Sequence, residues 1–262
     1  MLRCVREFFH ERGVMEVDCA ALSPDPSIDA HIDLIAAEVM GERWYLHSSP
    51  EYGMKNLLKA GLSDIYQLSH VFRDGESGRR HRPEFAMIEW YRLGFSLQQM
   101  WEETAALAAL FVGERPLEVM SYSEAFQRHA GIDPGALSEE QQNYLLATKI
   151  EPQLSGEPFY IVTHFPPSQA ALAKVSERGS ERFELFFQGM ELANGYDELT
   201  DPVEHKRRLL EQNQLRGALG KEVYPETVMP LGPFPDCCGV AVGFDRLLML
   251  KLGVSDIADV LS

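Results

Sequence analysis

Hydrophobic positions at the start of the chain follow the spacing of a helix. Leu2, Val5 and Phe9 lie three or four residues apart, so their side chains share one helical face. Gly13 follows as a residue that commonly ends helices. The pattern predicts an amphipathic helix, followed by a short strand over residues 14–17.

A second helix is predicted after a strand at residues 44–47. Ser48 and Glu51 have the spacing of a capping box, and Pro50 suits a first helical turn, where no backbone N–H is needed. Gly61 marks the end of this helix. Its buried stripe would consist of Met54, Leu57 and Leu58.

Two longer segments are typical of strands because they are rich in aromatic and β-branched residues. They cover residues 64–72 and 85–91, and the loop between them is rich in glycine and basic side chains. The pattern predicts a long hairpin with a basic tip. The tip contains Gly75, Gly78, Arg79, Arg80, His81 and Arg82.

In the rest of the chain, segments with the spacing of helices alternate with segments typical of strands. Helices are expected after Ser96, after a second capping box formed by Ser121 and Glu124, and from Asp201 to about Arg216. Further strands are expected at residues 159–165, 182–192 and 239–243, the last running into a helix at 244–252. Because hairpins and helices both join the strands, we predict an α+β fold with a largely antiparallel sheet flanked by helices, in a single domain of residues 1–262.

Composition narrows the class of protein. The 262 residues are 45% hydrophobic and 24% charged, which is typical of globular proteins and excludes disordered and fibrous classes. No apolar run is long enough to span a bilayer and no signal peptide is recognisable, so we expect a cytoplasmic protein without membrane contact. The four cysteines lack the spacing of a zinc site or a disulfide framework.

The net charge of −16 argues against nonspecific binding to nucleic acid and favours a basic partner or ligand. The alternative is that the charge only keeps the protein in solution.

The first candidate site lies on the predicted hairpin. Arg73 ends one strand, and an arginine fixed by a sheet can hold a phosphate through two hydrogen bonds. Glu89 and Tyr91 are two residues apart on the other strand and therefore share a face. A buried carboxylate beside a phenol would suit a substrate ammonium group. The alternative is a solvated sheet face.

A second candidate site lies between residues 189 and 198. Glu191 and Glu198 are seven residues apart with Asn194 between them, and Asp201 follows. Oxygen ligands at this density suit Mg²⁺ held together with nucleotide phosphates. An acidic loop without a ligand is the alternative.

A third candidate site is the junction of the strand at 239–243 with the following helix. Small residues would let a ligand lie against the strand, and Arg246 falls in the first helical turn. The guanidinium and the positive end of the helix dipole then act on the same anion.

The three segments, in this order, resemble class II aminoacyl-tRNA synthetases. Phe72-Arg73 with Pro83-Glu84-Phe85 is similar to motif 2 of that class, and Gly243-Phe244-Asp245-Arg246 is similar to motif 3. Residues 12–17 resemble motif 1. The segments 49–52, 81–91 and 191–199 are similar to the lysyl subgroup, so the resemblance covers nearly the whole chain.

Within the lysyl subgroup, the sequence is most similar to truncated paralogues that attach β-lysine to a lysine of elongation factor P. We expect no N-terminal anticodon-binding domain. Ser49 and Ala241 stand where the full-length synthetases usually have alanine and glycine, as in the paralogues.

The resemblance implies ATP and Mg²⁺ as cofactors, with lysine or (R)-β-lysine as the substrate. Arg73 and Arg246 would be the catalytic residues, and Glu191 and Glu198 the metal ligands. ATP would be bound by Arg73, Asp74, Gly75, Arg82, Phe85, Glu191, Leu192, Gly243 and Arg246. The amino acid would be bound by Ser49, Pro50, Glu51, Glu89, Tyr91, Asn194, Glu198 and Ala241.

The resemblance also implies elongation factor P as acceptor, a homodimer and no role for tRNA. Gly75 occupies a position where motif 2 usually has glutamate, and Glu76 follows it. Two alternatives remain: a free-standing lysine-activating enzyme that charges tRNA or a small molecule, and a catalytically inactive regulator.

Overall fold

The computed structural model describes residues 1–225 and 233–260. The chain divides into two compact units, each built from separate stretches of sequence. The first unit comprises Met1–Leu93, Leu199–Asp236 and Gly243–Ser262, and the second comprises Gly94–Glu198 and Cys237–Val242. In the part of the chain that the structure describes, no helix is long and apolar enough to cross a membrane.

The first unit contains four helices and six strands in its described part, numbered here along the whole chain. Its elements are α1 (Leu2–Glu11), β1 (Met15–Glu16), β2 (Leu22–Ser23), β3 (Ala36–Val39), β4 (Glu42–Leu46), α2 (Glu51–Lys59), β5 (Ile65–Phe72), β6 (Glu84–Leu93), α6 (Pro202–Ala218) and α7 (Phe244–Leu252). The strands β1, β5 and β6 follow one another in one sheet, and β2, β4 and β3 form a second, smaller sheet.

The predicted hairpin of the first unit is confirmed. The strands β5 and β6 are antiparallel along their full length and place Gln67 directly opposite Glu89. The predicted helix α1 is also confirmed, and its buried Phe9 stacks on Tyr66 with ring centroids 4.1 Å apart. Gly13 follows with a φ of +67°, a conformation that glycine adopts without strain.

The start of α2 differs from the prediction. Ser48 does not cap the helix, because its buried hydroxyl lies 2.9 Å from the hydroxyl of Ser27. The N-cap is Pro50, and the hydroxyl of Ser49 accepts the backbone N–H of Glu51 instead. The side chain of Glu51 takes no part in capping the helix and instead accepts a hydrogen bond from Lys55 in the next turn.

The second unit contains three helices and six strands. Its elements are α3 (Leu97–Val112), β7 (Leu117–Ser121), α4 (Tyr122–Ala130), α5 (Glu139–Leu145), β8 (Phe159–Phe165), β9 (Val175–Ser176), β10 (Gly179–Phe187), β11 (Met190–Asp197) and β12 (Cys237–Gly243). The strand order is β12, β11, β10, β8, β7, and β9 pairs with β10. Only β7 and β8 are parallel among these pairs. The predicted α+β class is confirmed, with helices flanking a mainly antiparallel sheet.

The predicted single strand over residues 182–192 is wrong. It is a hairpin of β10 and β11, closed by a two-residue turn at Gln188 and Gly189. Both residues have positive φ, +50° and +64°, which matches the right-handed twist of the flanking strands. The apolar run through this turn concealed it in the sequence.

The helix α6 begins as predicted, since the Asp201 carboxylate accepts the backbone N–H groups of Val203 and Glu204. Near its end, the buried Arg216 anchors the helix to two loops. Its guanidinium donates to the carbonyls of Asp29, Ile32 and Glu222 at 2.6 to 2.7 Å and to the Asp33 carboxylate at 2.9 Å.

Replacing Arg216 with methionine leaves these partly buried carbonyl groups without their donor. We expect Arg216→Met to lower the free energy of unfolding by about 3 kcal/mol, measured by urea denaturation. The exposed Arg207, which pairs with Glu204 on the same helix, is the control, and Arg207→Met should leave stability nearly unchanged. Equal effects from both substitutions would contradict this account.

Candidate active site

Glu89 is the central polar group of the first unit. It lies on β6 with 3% of its surface exposed, which excludes the alternative of a solvated sheet face. Its carboxylate accepts hydrogen bonds from the Ser49 hydroxyl (2.6 Å) and the Tyr91 phenol (2.7 Å). Burial raises the pKa of Glu89 to about 7, and the nearby Glu51 adds to the rise.

Helix α2 brings a second carboxylate to this cluster. Glu51 lies in its first turn and accepts a hydrogen bond from Lys55 Nζ at 2.5 Å. Lys55 itself is fully buried, and its ammonium lies 5.9 Å from the ring centroid of Tyr91. The structure therefore brings together the predicted residues Ser49, Glu51, Glu89 and Tyr91, and Pro50 directs the chain into the helix as the N-cap.

This cluster can bind an amine. Each carboxylate oxygen accepts more than one hydrogen bond, so the oxygens of Glu51 and Glu89 retain capacity for further N–H donors. An ammonium group supplies three such donors and the opposite charge. In a nearly dry site these charge-assisted bonds are stronger than on the protein surface.

Arg73 lies where the predicted phosphate-binding arginine was expected, just after β5. Its guanidinium is half-buried, 5.1 Å from the ring centroid of Phe85, and its Nε donates to the carbonyl of Ser48 at 3.4 Å. The Glu76 carboxylate lies 3.7 Å from its Nη1. Glu76 thus approaches Arg73 although it stands one position after the residue expected from motif 2.

The loop after Arg73 is shaped by Asp74 and Gly75. The backbone N–H of Asp74 donates to the carbonyl of Asp33 (2.7 Å), and its side chain accepts the N–H of Gly75 (2.9 Å). Gly75 has a φ of +73°, so a glutamate in its place would be strained. Arg82, also predicted to bind ATP, is exposed near the end of this loop.

The start of α7 carries the second predicted arginine. Arg246 donates to Nε2 of His81 at 2.8 Å. Gly243 ends the preceding strand, and a methyl group there would lie 3.3 Å from Cδ of Arg246. The buried Asp245 fixes the helix to β6, because its carboxylate accepts the backbone N–H of Ala86 at 2.8 Å.

The second unit carries the remaining predicted residues on one face of its sheet. Asn194 lies in β11 and Glu198 directly follows the strand; extended residues four apart project from the same side. Ala241 of β12 lies directly opposite Asn194 and shares this face. The acidic-loop alternative is excluded, because Glu191 and Asn194 lie within a paired strand.

A β-bulge places Glu191 on that face as well. In β10, Leu185 pairs with Ala193 and Phe186 pairs with Glu191, so Leu192 is an extra, buried residue in β11. A bulge shifts the alternation of side chains by one. Glu191 and Glu198 are seven residues apart, and in a regular strand they would point to opposite faces. Because of the bulge, they share one face.

Two side chains that the sequence did not single out hold Asn194. Arg182 donates from Nε to the Asn194 carbonyl at 3.1 Å and also bonds to Glu184. The Asn194 amide donates to the Tyr196 phenol at 3.0 Å. Burial raises the pKa of Glu184 to about 7, although Arg182 opposes the rise. In the sequence, Arg182 and Glu184 are two residues apart in a strand, so they share a face. This spacing was the signal that could have identified the pair.

The residues present fit Mg²⁺ as part of a nucleotide complex. Among the described residues, no three His, Cys, Asp or Glu side chains form a metal-binding group. Mg²⁺ commonly takes only one or two carboxylates and completes its shell with phosphates and water. Glu191 and Glu198 supply that number of carboxylates on one face.

Lys55 is the residue of this cluster that sequence reasoning most clearly missed. The i, i+4 spacing from Glu51 to Lys55 was visible, but a lysine at this spacing is usually on the surface. His205 of α6 was also missed. It is buried, its pKa is lowered to about 4 by burial first and then by Lys55, and in the described structure its Nε2 has no hydrogen-bond partner.

Comparisons with known proteins agree with this geometry. The family of class II tRNA synthetases (D, K and N) matches residues 1–262. The chain is 38% identical over 292 residues to a protein named elongation factor P–(R)-β-lysine ligase from Haemophilus ducreyi, covering 98% of this chain and 89% of the relative.

Proteins with the same name from Histophilus somni and Salmonella dublin are 38% and 37% identical. Each of these alignments covers 98% of this chain and 90% of the relative. The chain therefore belongs to the family of class II tRNA synthetases that includes these lysine ligases.

Proposed function

We propose that this protein activates lysine or (R)-β-lysine with ATP and transfers the acyl group to a lysine side chain of elongation factor P. The observation that carries the proposal is the cluster of the half-buried Glu51 and the buried Glu89, whose carboxylates can accept hydrogen bonds from ammonium groups. The names of the relatives support the acceptor and the β-isomer.

Ser49, Glu51, Glu89 and Tyr91 would orient the ammonium groups of the substrate, with Pro50 fixing the start of the helix that carries Glu51. Asn194 and Glu198 would contribute from the sheet face of the second unit. Ala241 would limit the space beside Asn194 by its methyl group, which a glycine lacks.

Arg73 and Arg246 would bind the phosphates of ATP, and Phe85 and Gly243 would contact the nucleotide. Asp74, Gly75 and Arg82 would shape the loop over it, and Leu192 would place Glu191. Glu191 and Glu198 would hold Mg²⁺, which neutralises charge on the phosphates when it is bound.

The reaction needs no protein nucleophile. The substrate carboxylate attacks the α-phosphorus of ATP, a carboxyl O–P bond forms, and the bond to the bridging oxygen breaks to release pyrophosphate. The acceptor amine, without its proton, then attacks the acyl carbon, and AMP leaves. Arg73 and Arg246 stabilise the charge that develops on phosphate oxygens.

We further propose a cytoplasmic homodimer that does not act on tRNA. The charge of −16 would repel a polyanion and attract a basic acceptor. A lysine-activating enzyme that charges tRNA or a small molecule, and an inactive regulator, are the alternatives that the following assay separates.

Pyrophosphate exchange into ATP should depend on the amino acid. We expect exchange with (R)-β-lysine above that with lysine, and mass spectrometry should detect the acyl group on elongation factor P. Acylation of tRNA instead would favour the first alternative. ATP binding without exchange would favour the second.

Ala241→Gly tests the proposed role of the methyl group. Removing it opens space opposite Asn194, so we expect the ratio of kcat/KM for (R)-β-lysine over lysine to fall about tenfold. Ala193→Gly, on the opposite face of the neighbouring strand, is the control. An unchanged ratio in Ala241→Gly would exclude Ala241 from substrate choice.

The pH dependence of substrate capture should follow Glu89. Its raised pKa of about 7 means that the carboxylate is neutral below pH 7 and charged above it. We expect kcat/KM for the amino acid to rise with pH and level off above 7. In Glu89→Gln this rise should disappear, with kcat/KM reduced about a hundredfold at pH 8. A rise that persists in the variant would assign it to another group.

A further inference from the structure

Lys55 is unusual because it is a fully buried lysine inside a cluster that binds amines. Its Nζ lies 2.5 Å from Glu51 Oε1 and 5.5 Å from the ring centroid of Phe234. Lysine is almost never fully buried unless it is paired. A buried ion pair is also weak evidence for stability, because desolvation offsets the attraction. The burial of Lys55 therefore requires another explanation.

Several titratable groups surround Glu89, and their pKa values indicate which of them carry charge. Glu51 and Lys55 face it from α2, Tyr91 from β6 itself, and Cys19 from the segment after β1, while His205 of α6 interacts with Glu51 and Lys55. Burial raises the pKa of Cys19 to about 11 and lowers that of His205 to about 4. Cys19 and His205 are therefore neutral near pH 7, and of the two charged groups on α2, Glu51 raises the pKa of Glu89 and Lys55 lowers it.

The charges of this cluster suit the proposed substrate. Lysine and (R)-β-lysine each carry two ammonium groups and one carboxylate, and Glu51 and Glu89 offer carboxylates to the ammonium groups. Glu51 raises the pKa of Glu89, and Lys55 opposes that rise. Without Lys55, this repulsion between Glu51 and Glu89 would be stronger.

This inference rests on the proposed function: we infer that Lys55 is a positioning residue whose ammonium holds Glu51 and offsets the repulsion between Glu51 and Glu89. Lys55 donates to Oε1 of Glu51 and so fixes this carboxylate within the cluster. The lysine thus acts through the two carboxylates and does not itself contact the reacting atoms.

The inference is tested by titrating Glu89 in the unliganded protein, using the ¹³C signal of its carboxyl carbon, assigned by its loss in Glu89→Gln. Lys55→Met should move the midpoint about one pH unit to the alkaline side. Glu51→Gln should move it to the acid side, because the repelling charge is removed. In the double variant the two effects should largely cancel.

The same variants give a second readout in pyrophosphate exchange. Lys55→Met should raise the KM for the amino acid about tenfold at pH 7, with recovery above pH 8 and the KM for ATP unchanged. Lys59→Met, at the exposed last residue of the same helix, is the control and should match the wild type. Thermal melting checks that each variant is folded.

The outcomes separate the two proposals. Shifted midpoints without any exchange by the wild type would support the role of Lys55 and reject the proposed function. Suppose that the wild type catalyses exchange but the midpoint of the Glu89 titration is unchanged in both Lys55→Met and Glu51→Gln. This result would overturn the inference about Lys55 and leave the proposed function standing. If Lys55→Met does not fold, an unchanged midpoint in Glu51→Gln overturns it.

Discussion

The burial of the Glu89 carboxylate constrains much of the first unit. A buried carboxylate needs hydrogen bonds from fixed donors, and here they come from Ser49 and Tyr91. The Ser49 hydroxyl also accepts the N–H of Glu51, so the same atom that serves Glu89 starts the helix α2. The Ser49 hydroxyl thus links the start of this helix, and with it Glu51 and Lys55, to the Glu89 carboxylate.

Asp245 is a buried carboxylate of a different kind. It accepts a backbone N–H from β6, and burial raises its pKa while that hydrogen bond opposes the rise. A backbone donor cannot be displaced by a substrate, whereas the side-chain donors around Glu89 can rearrange. Asp245 therefore serves as an anchor for α7 and Arg246, and Glu89 is suited to binding.

The parts of the fold that follow local rules could be predicted from the sequence. The helix start at Ser96, the capping box at Ser121, the helix cap at Asp201 and the hairpin of β5 and β6 depend on residues close in the chain. The predicted cap at Ser48 failed because Ser27, distant in sequence, takes its hydroxyl.

The candidate site was harder to predict than the fold. Its acidic residues were identified by type and spacing, but the bulge at Leu192 that turns Glu191 to the face of Asn194 depends on pairing with β10. The network of Arg182 and Glu184 depends on the same pairing. Lys55 was missed because burial of a lysine cannot be read from a helical spacing.

The ion pair of Lys55 and Glu51 has a chemical consequence for an enzyme of the proposed kind. An acyl-adenylate reacts with any lysine amine that has a free lone pair, including those of the enzyme that makes it. A protonated lysine has no lone pair, and its carboxylate partner at 2.5 Å stabilises the proton. In the proposed site, the pair would thus protect Lys55 from acylation by the adenylate intermediate that forms there.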